Sequence, residues 1–154
     1  IEEGIFRKQE MNKLFVYANV LVAVINKEYP VFSKAIRVLS LADHPQFQLF
    51  TSPLALAIAF YFAEKKSGTK SALSKIRLLQ EKLHIASCGK SEVEATIQNK
   101  KVLDFEDGLQ FYAAKHAGCT MIITEDTADF HFADIPVLNC EDCLRHHIWV
   151  VKEK

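Results

Sequence analysis

Two acidic clusters carry the residue types that could do chemistry in this chain. Asp104-Phe105-Glu106-Asp107-Gly108-Leu109-Gln110 is one, and Thr124-Glu125-Asp126-Thr127-Ala128-Asp129-Phe130, at the mouth of an apolar run, is the other. Magnesium and manganese take hard oxygen ligands, so carboxylates delivered by two different elements are what a divalent-metal nuclease needs to clamp a phosphate. The same residues also have purely structural uses. Asp104 can cap a helix, and Glu106 and Asp107 can be solvated charges at a helix N-terminus, worth about 0.3–1 kcal/mol each. Asp126 and Asp129 can serve a turn between a strand and a loop. Residue types alone leave both readings open.

The elements that must position these clusters are visible in the pattern. Asp104 is placed to cap a helix over residues 105–117, with Leu109, Tyr112 and Ala113 inward and Gly118 as its terminator. Residues 121–123 and 135–138 read as strands, and residues 141–146 as a short terminal helix. Toward the N-terminus, residues 13–18 form a strand whose Leu14-Phe15-Val16 run suits burial on both faces. A helix start over 19–26, a helix over 31–41 and a strand over 47–51 follow. Ser52 then caps, and Pro53 opens, a helix that stops at Gly68. Residues 69–83 read as a helix with Ala72, Ile76, Leu79 and Leu83 inward, and 84–87 as a strand. Ser91 with Glu94 has the spacing of a capping box for a helix ending near Lys100. Strands alternating with helices predict a mainly parallel central sheet in a three-layer α/β/α sandwich, whose functional crevice lies beyond the carboxyl ends of the strands. Tyr17, Asp107 and Asp126 all fall at or near that edge.

The chain has 154 residues, about half of them hydrophobic, which is enough for one sizeable core. One domain over 11–154 is expected. Residues 1–10 precede Met11 and form an extension, natural or added, that fits neither the basic region nor the apolar core of a secretion signal. Nineteen basic residues balance nineteen acidic ones. No global field therefore concentrates nucleic acid, and any RNA contact has to use a local patch. No apolar run approaches the roughly 18–20 residues of a membrane span, so a soluble, cytoplasmic protein is expected. The four cysteines are scattered. Cys140 and Cys143 form a CxxC with His146 and His147 close behind, from which a zinc site can be drawn. A lone CxxC lacks a second ligand pair, and two small semi-buried residues at a helix start are the plainer reading.

From Lys13 to Leu144 the chain resembles a PIN domain. Phe15-Val-Tyr-Ala-Asn-Val-Leu looks like that family's opening strand, and Ser52-Pro-Leu-Ala-Leu-Ala is similar to the segment that introduces its second acid. Phe105-Glu-Asp-Gly-Leu-Gln-Phe-Tyr-Ala-Ala and Ile122-Ile-Thr-Glu-Asp-Thr-Ala-Asp-Phe resemble the third and fourth motifs, and Ile135-Pro-Val-Leu resembles its ending. PIN domains are metal-dependent ribonucleases, among them the toxins of bacterial toxin–antitoxin pairs. The resemblance implies that Asp107 and Asp126 are the catalytic acids, with Asp129 beside them as a third carboxylate for a metal. It makes Asn19, Glu106 and Thr124 supporting residues. Tyr17 stands where the first acid belongs and Ile58 where the second belongs.

Those two positions decide what the resemblance implies for activity. A phenol stays neutral below pH about 10 and the hydrocarbon side chain of Ile58 offers no oxygen, so Mg²⁺ or Mn²⁺ is expected to bind weakly. Tyr17 reads as an aromatic plugging the cleft rather than as a catalytic tyrosine. The expectation is a degenerate PIN-domain protein with little or no nuclease activity, acting by binding RNA or a protein partner. The alternative is a residual Mg/Mn-dependent endoribonuclease working through Asp107, Asp126 and Asp129. Expected partners are RNA, a cognate antitoxin-like protein and a second copy in a homodimer, with no membrane.

Overall fold

The apolar run Leu14-Phe15-Val16 is buried from solvent on both faces and forms the end of β1 (Asn12–Val16), the central strand of the sheet. This is a computed structural model, and it describes residues 11–152. The extension read over 1–10 lies outside the described residues. Five strands run in the order β3-β2-β1-β4-β5, every neighbouring pair parallel. They are β1, β2 (Phe47–Thr51), β3 (His84–Ile85), β4 (Met121–Ile123) and β5 (Val137–Leu138). Leu14 faces Leu49 on one side and Met121 on the other, which makes the middle of the sheet a continuous apolar layer. Parallel strands need crossovers, and helices supply them on both faces.

The helices are α1 (Ala18–Ile25), α2 (Phe32–Ser40), α3 (Pro53–Ser67), α4 (Thr69–Lys82), α5 (Lys90–Gln98), α6 (Phe105–His116) and α7 (Cys140–Lys152). Short 3-10 turns cover Leu41–Asp43 and Thr127–Phe130. The Ser52-Pro53 signal holds: the Ser52 hydroxyl accepts from the Ala55 amide at 3.0 Å and Pro53 fills the first turn. Ala55, Ala59 and Ala63, four apart and wholly buried, form the inner face of α3, which packs against α1. Gly68 then turns the chain at φ +83° into α4, so α3 and α4 make a helical hairpin.

Three local readings are corrected by packing. At α5 the N-cap is Gly89, and half of a capping box is made there, the Glu92 carboxylate accepting from the Gly89 amide at 2.7 Å. Ser91 lies inside the helix and donates to Glu92 at 2.6 Å, while Glu94 faces solvent near Lys90. On α6, Asp107, Gly108, Gln110, Phe111, Ala113 and Ala114 are buried, so Ala113 points inward as read, while Leu109 and Tyr112 are only half-buried. The reason is that α6 packs on α5 as well as on the sheet. At Gly108 the approach is so close that an added Cβ would stand 2.5 Å from Thr96 Cγ2 and 2.8 Å from Val102 Cγ1. The edge strands β3 and β5 are shorter than expected, two residues each. Among the described residues no helix is long and apolar enough to cross a membrane.

Candidate functional site

Tyr17 is the first residue beyond β1, and its amide donates to the Ile123 carbonyl at 2.9 Å, which pins it between the ends of β1 and β4. Opposite stands the first turn of α6. There Asp104 caps the helix by accepting from the Asp107 amide at 3.0 Å, so the cap reading of Asp104 is correct and it turns Asp107 inward. The Tyr17 hydroxyl lies 2.5 Å from Asp107 Oδ1 and 3.0 Å from Glu106 Oε1. A phenol has one proton to donate, so the shorter contact to Asp107 is the principal bond. The Tyr17 ring meets Phe130 edge-on at 5.1 Å. Tyr17 is 9% exposed and Asp107 8%, so both are held rather than solvated.

A second group lies at the ends of α1 and β4. Asn19 Nδ2 donates to Thr124 Oγ1 at 3.0 Å and to Asp126 Oδ2 at 3.2 Å, while its Oδ1 accepts from the Glu125 amide at 3.2 Å. Thr124 is wholly buried, and its hydroxyl also accepts from the Asp126 amide at 3.2 Å. Asn19, Thr124 and Asp126 are thus joined by hydrogen bonds where β4 ends and α1 begins. Asp129 stands on the turn after Asp126, near enough for its charge to act on Asp107. Ile58 is half-buried on α3, packed against the core, and supplies no polar atom.

Burial is the main influence that raises the Asp107 carboxyl above the usual carboxylate range. The charges of Asp104, Asp129 and Glu106 push the same way, and the Tyr17 hydrogen bond opposes them. The Tyr17 phenol is pushed far above its ordinary value, first by burial and then by its bond to Asp107, so it remains a neutral donor. One polar residue that nothing in the spacing singles out is Gln110. It is fully buried one turn beyond Asp107, its Oε1 accepts from the Ser52 hydroxyl at 3.4 Å, and its Nε2 has no partner among the described residues.

These residues do not fit a divalent cation. The best-placed carboxylates, Asp107 and Glu106, already face a phenol, Ile58 brings no oxygen, and the orphaned atom of Gln110 is a donor. Among the described residues no group of three or more histidine, cysteine, aspartate or glutamate side chains is arranged to hold a metal. That applies equally to the zinc site drawn from Cys140, Cys143, His146 and His147. Both thiols are fully buried, Cys143 pushed up to about 12 by burial and Cys140 higher still, with Glu125 adding to the effect. They are small core residues at a helix start, and His147 packs edge-on against Phe47 at 5.0 Å.

The profile of the PIN domain family matches residues 13–128. Ribonuclease VapC1 of Aquifex aeolicus (strain VF5) is 38% identical to this chain over 139 residues, covering 84% of this chain and 92% of that protein. Among solved structures, VapBC2 from Rickettsia felis bound to a DNA fragment from its promoter superposes with a TM-score of 0.64 at 16% identity, covering 82% of this chain and 98% of that one. The Sarcin-Ricin loop cleaving toxin VapC20 of Mycobacterium tuberculosis superposes at 0.57 with 16% identity, covering 71% and 86%. At such identities the structural likeness concerns the fold.

Proposed function

The chain belongs to the PIN domain family and is homologous to VapC ribonuclease toxins, and from that premise we propose that it is a degenerate member, one domain over residues 11–154, with little or no nuclease activity, acting by binding RNA or a protein partner in the cytoplasm. The Tyr17 hydroxyl bonded to Asp107 carries this reading. Clamping the attacking and leaving oxygens of a phosphodiester needs cations held by several hard oxygens. Here a neutral hydrogen-bond donor takes the electron pairs that a cation would use, and its ring occupies the floor of the cleft. The acids that remain give a local negative field, which repels phosphates when no cation screens it.

A protein partner has its own support. A cleft of about 570 Å³ opens between α1, α2 and α4, lined by Val24, Ile36, Leu39 and Leu78 together with Lys75 and Glu81. An apolar lining interspersed with charges suits an amphipathic helix laid into the groove. An antitoxin-like chain is the occupant this favours, since the Rickettsia relative was solved as VapBC2. A second copy in a homodimer is a further partner consistent with the family.

The second reading, a weak Mg/Mn-dependent endoribonuclease using Asp107, Asp126 and Asp129, is favoured by the intact Asn19–Thr124–Asp126 brace and by the ribonuclease at 38% identity. Calorimetric titration with Mn²⁺ beside an RNA cleavage assay separates the two. The first expects no binding at micromolar metal and no cleavage. Tight Mn²⁺ binding by the unmodified chain, or cleavage that Asp107→Asn abolishes, establishes the second.

A further inference from the structure

A neutral chain can hold RNA only through a local concentration of positive charge, and the fold makes one at the α3–α4 hairpin. Lys65, Lys66, Lys70, Lys75 and Arg77 fall within thirteen residues that contain no acid. None of the five has a carboxylate partner among the described residues, which is equally true of Lys13, Lys27, Arg37, Lys100 and Lys101, so it is their density along the hairpin that sets them apart. Lys65, Lys70 and Arg77 are exposed. One turn before Lys65, the α3 surface presents Tyr61 at 53% exposure and Phe62 at 45%, with Lys65 Nζ 5.1 Å above the Tyr61 ring.

We propose that this hairpin is a docking surface for single-stranded RNA, an inference that rests on the RNA-binding half of the function proposed above. Unpaired cations track phosphates, and exposed rings beside them accept unstacked bases, the combination by which proteins hold single strands without reading sequence. An acidic peptide would use the cations and leave the rings idle. Position supports the same occupant. α3 starts at the carboxyl edge of the sheet, directly after β2, and its fifteen residues carry the chain about 22 Å from that edge at 1.5 Å per residue. The hairpin turn therefore lies at the far end of α3 from Asp107 and Asp126. RNA held there is held away from the cleft.

The test is fluorescence anisotropy of a labelled oligouridylate in EDTA, so that no metal-dependent cleavage intervenes, with circular dichroism confirming the fold of each variant. Lys65→Gln with Lys70→Gln and Arg77→Gln is expected to weaken binding at least about tenfold at low salt. It should also flatten the slope of log affinity against log salt by about 2, since each single-strand phosphate contact contributes about 0.7. Tyr61→Ala should weaken binding several-fold with the salt slope unchanged, a signature that a purely electrostatic patch would not give. Three results overturn the proposal: no binding by the unmodified chain, affinity indifferent to the three glutamines, or light scattering in which those glutamines turn a dimer into a monomer while RNA affinity stays. The last would make the hairpin an interface between copies. Binding that maps to Asp126→Asn instead would move RNA to the cleft and leave the proposed function standing, while Mn²⁺ binding by the unmodified chain would defeat that function without touching the hairpin.

Discussion

The Tyr17 hydroxyl and Asp107 Oδ1 stand 2.5 Å apart, a buried contact between residues 90 positions apart in sequence that joins the end of β1 to the first turn of α6. A hydrogen bond to an ionised acceptor contributes about 1.5–3 kcal/mol, and removing the donor leaves the acceptor buried without compensation. Tyr17→Phe, which keeps the ring against Phe130, is therefore expected to cost about 1–3 kcal/mol in urea unfolding at neutral pH. A loss below about 0.5 kcal/mol would mean that Asp107 finds another donor or water at once.

Restoring oxygen at the two positions that lack it should restore a cation site. Tyr17→Asp with Ile58→Glu is expected to bind Mn²⁺ at least about tenfold tighter than the unmodified chain, a difference of about 1.4 kcal/mol. Without metal the same variant should be less stable, because the new carboxylate at position 58 is partly buried and unpaired. Its melting temperature should then rise with added Mn²⁺ as mass action requires. Calorimetry that shows no gain would place Ile58 outside the cleft.

Asp107 makes a pH prediction of definite sign. Its carboxyl titrates above the ordinary value in the folded protein, chiefly through burial, so its ionisation works against folding and the penalty is present once the pH has risen through the folded value. Asp107→Asn, which can still accept from Tyr17, should be more stable than the unmodified chain at pH 7. The two should converge as the pH falls through the carboxylate range. Melting curves from pH 3 to 8 measure this, and a uniformly destabilised variant contradicts it.

Glu92 has the opposite sign. Bonds from Ser91, from His116 and from the Gly89 amide hold its carboxyl down to about 2. The stability it contributes is complete above the ordinary glutamate value and is lost as the pH falls from there toward 2. Glu92→Gln should lower stability at neutral pH and flatten the acid limb of the profile. Parallel profiles through that window would show that the pairing adds nothing.

Local signals announced most of the fold because they are satisfied within a few residues. The apolar Leu14–Val16 run, the Ser52-Pro53 opening and Gly118, at φ +84° after α6, each act on their own turn of chain. The α5 cap escaped because its first residue is Gly89, which has no side chain to announce it, and Glu92 does the work. The buried face of α6 escaped because helical periodicity assumes one covered side, and α5 covers a second. At the candidate site, spacing and the family resemblance singled out Asp107, Asp126, Asn19 and Thr124 as candidates. The bond that changes the chemistry, from Tyr17 to Asp107, is a distance between remote positions that no window of sequence contains. Gln110 was hidden for the same reason.

An equal count of charges is not an even distribution of them. Among the described residues, Asp104, Glu106, Asp107, Glu125, Asp126 and Asp129 form an acidic patch at the carboxyl edge of the sheet, and Lys65, Lys66, Lys70, Lys75 and Arg77 a basic one on the α3–α4 hairpin, so patches of opposite sign stand on a chain whose net charge is zero. Such a particle migrates slowly in an electric field yet attracts its own kind patch to patch when little salt is present. Its solubility near neutrality should accordingly rise on adding the first tenth of a molar of salt, a salting-in response that its balanced composition alone would not suggest.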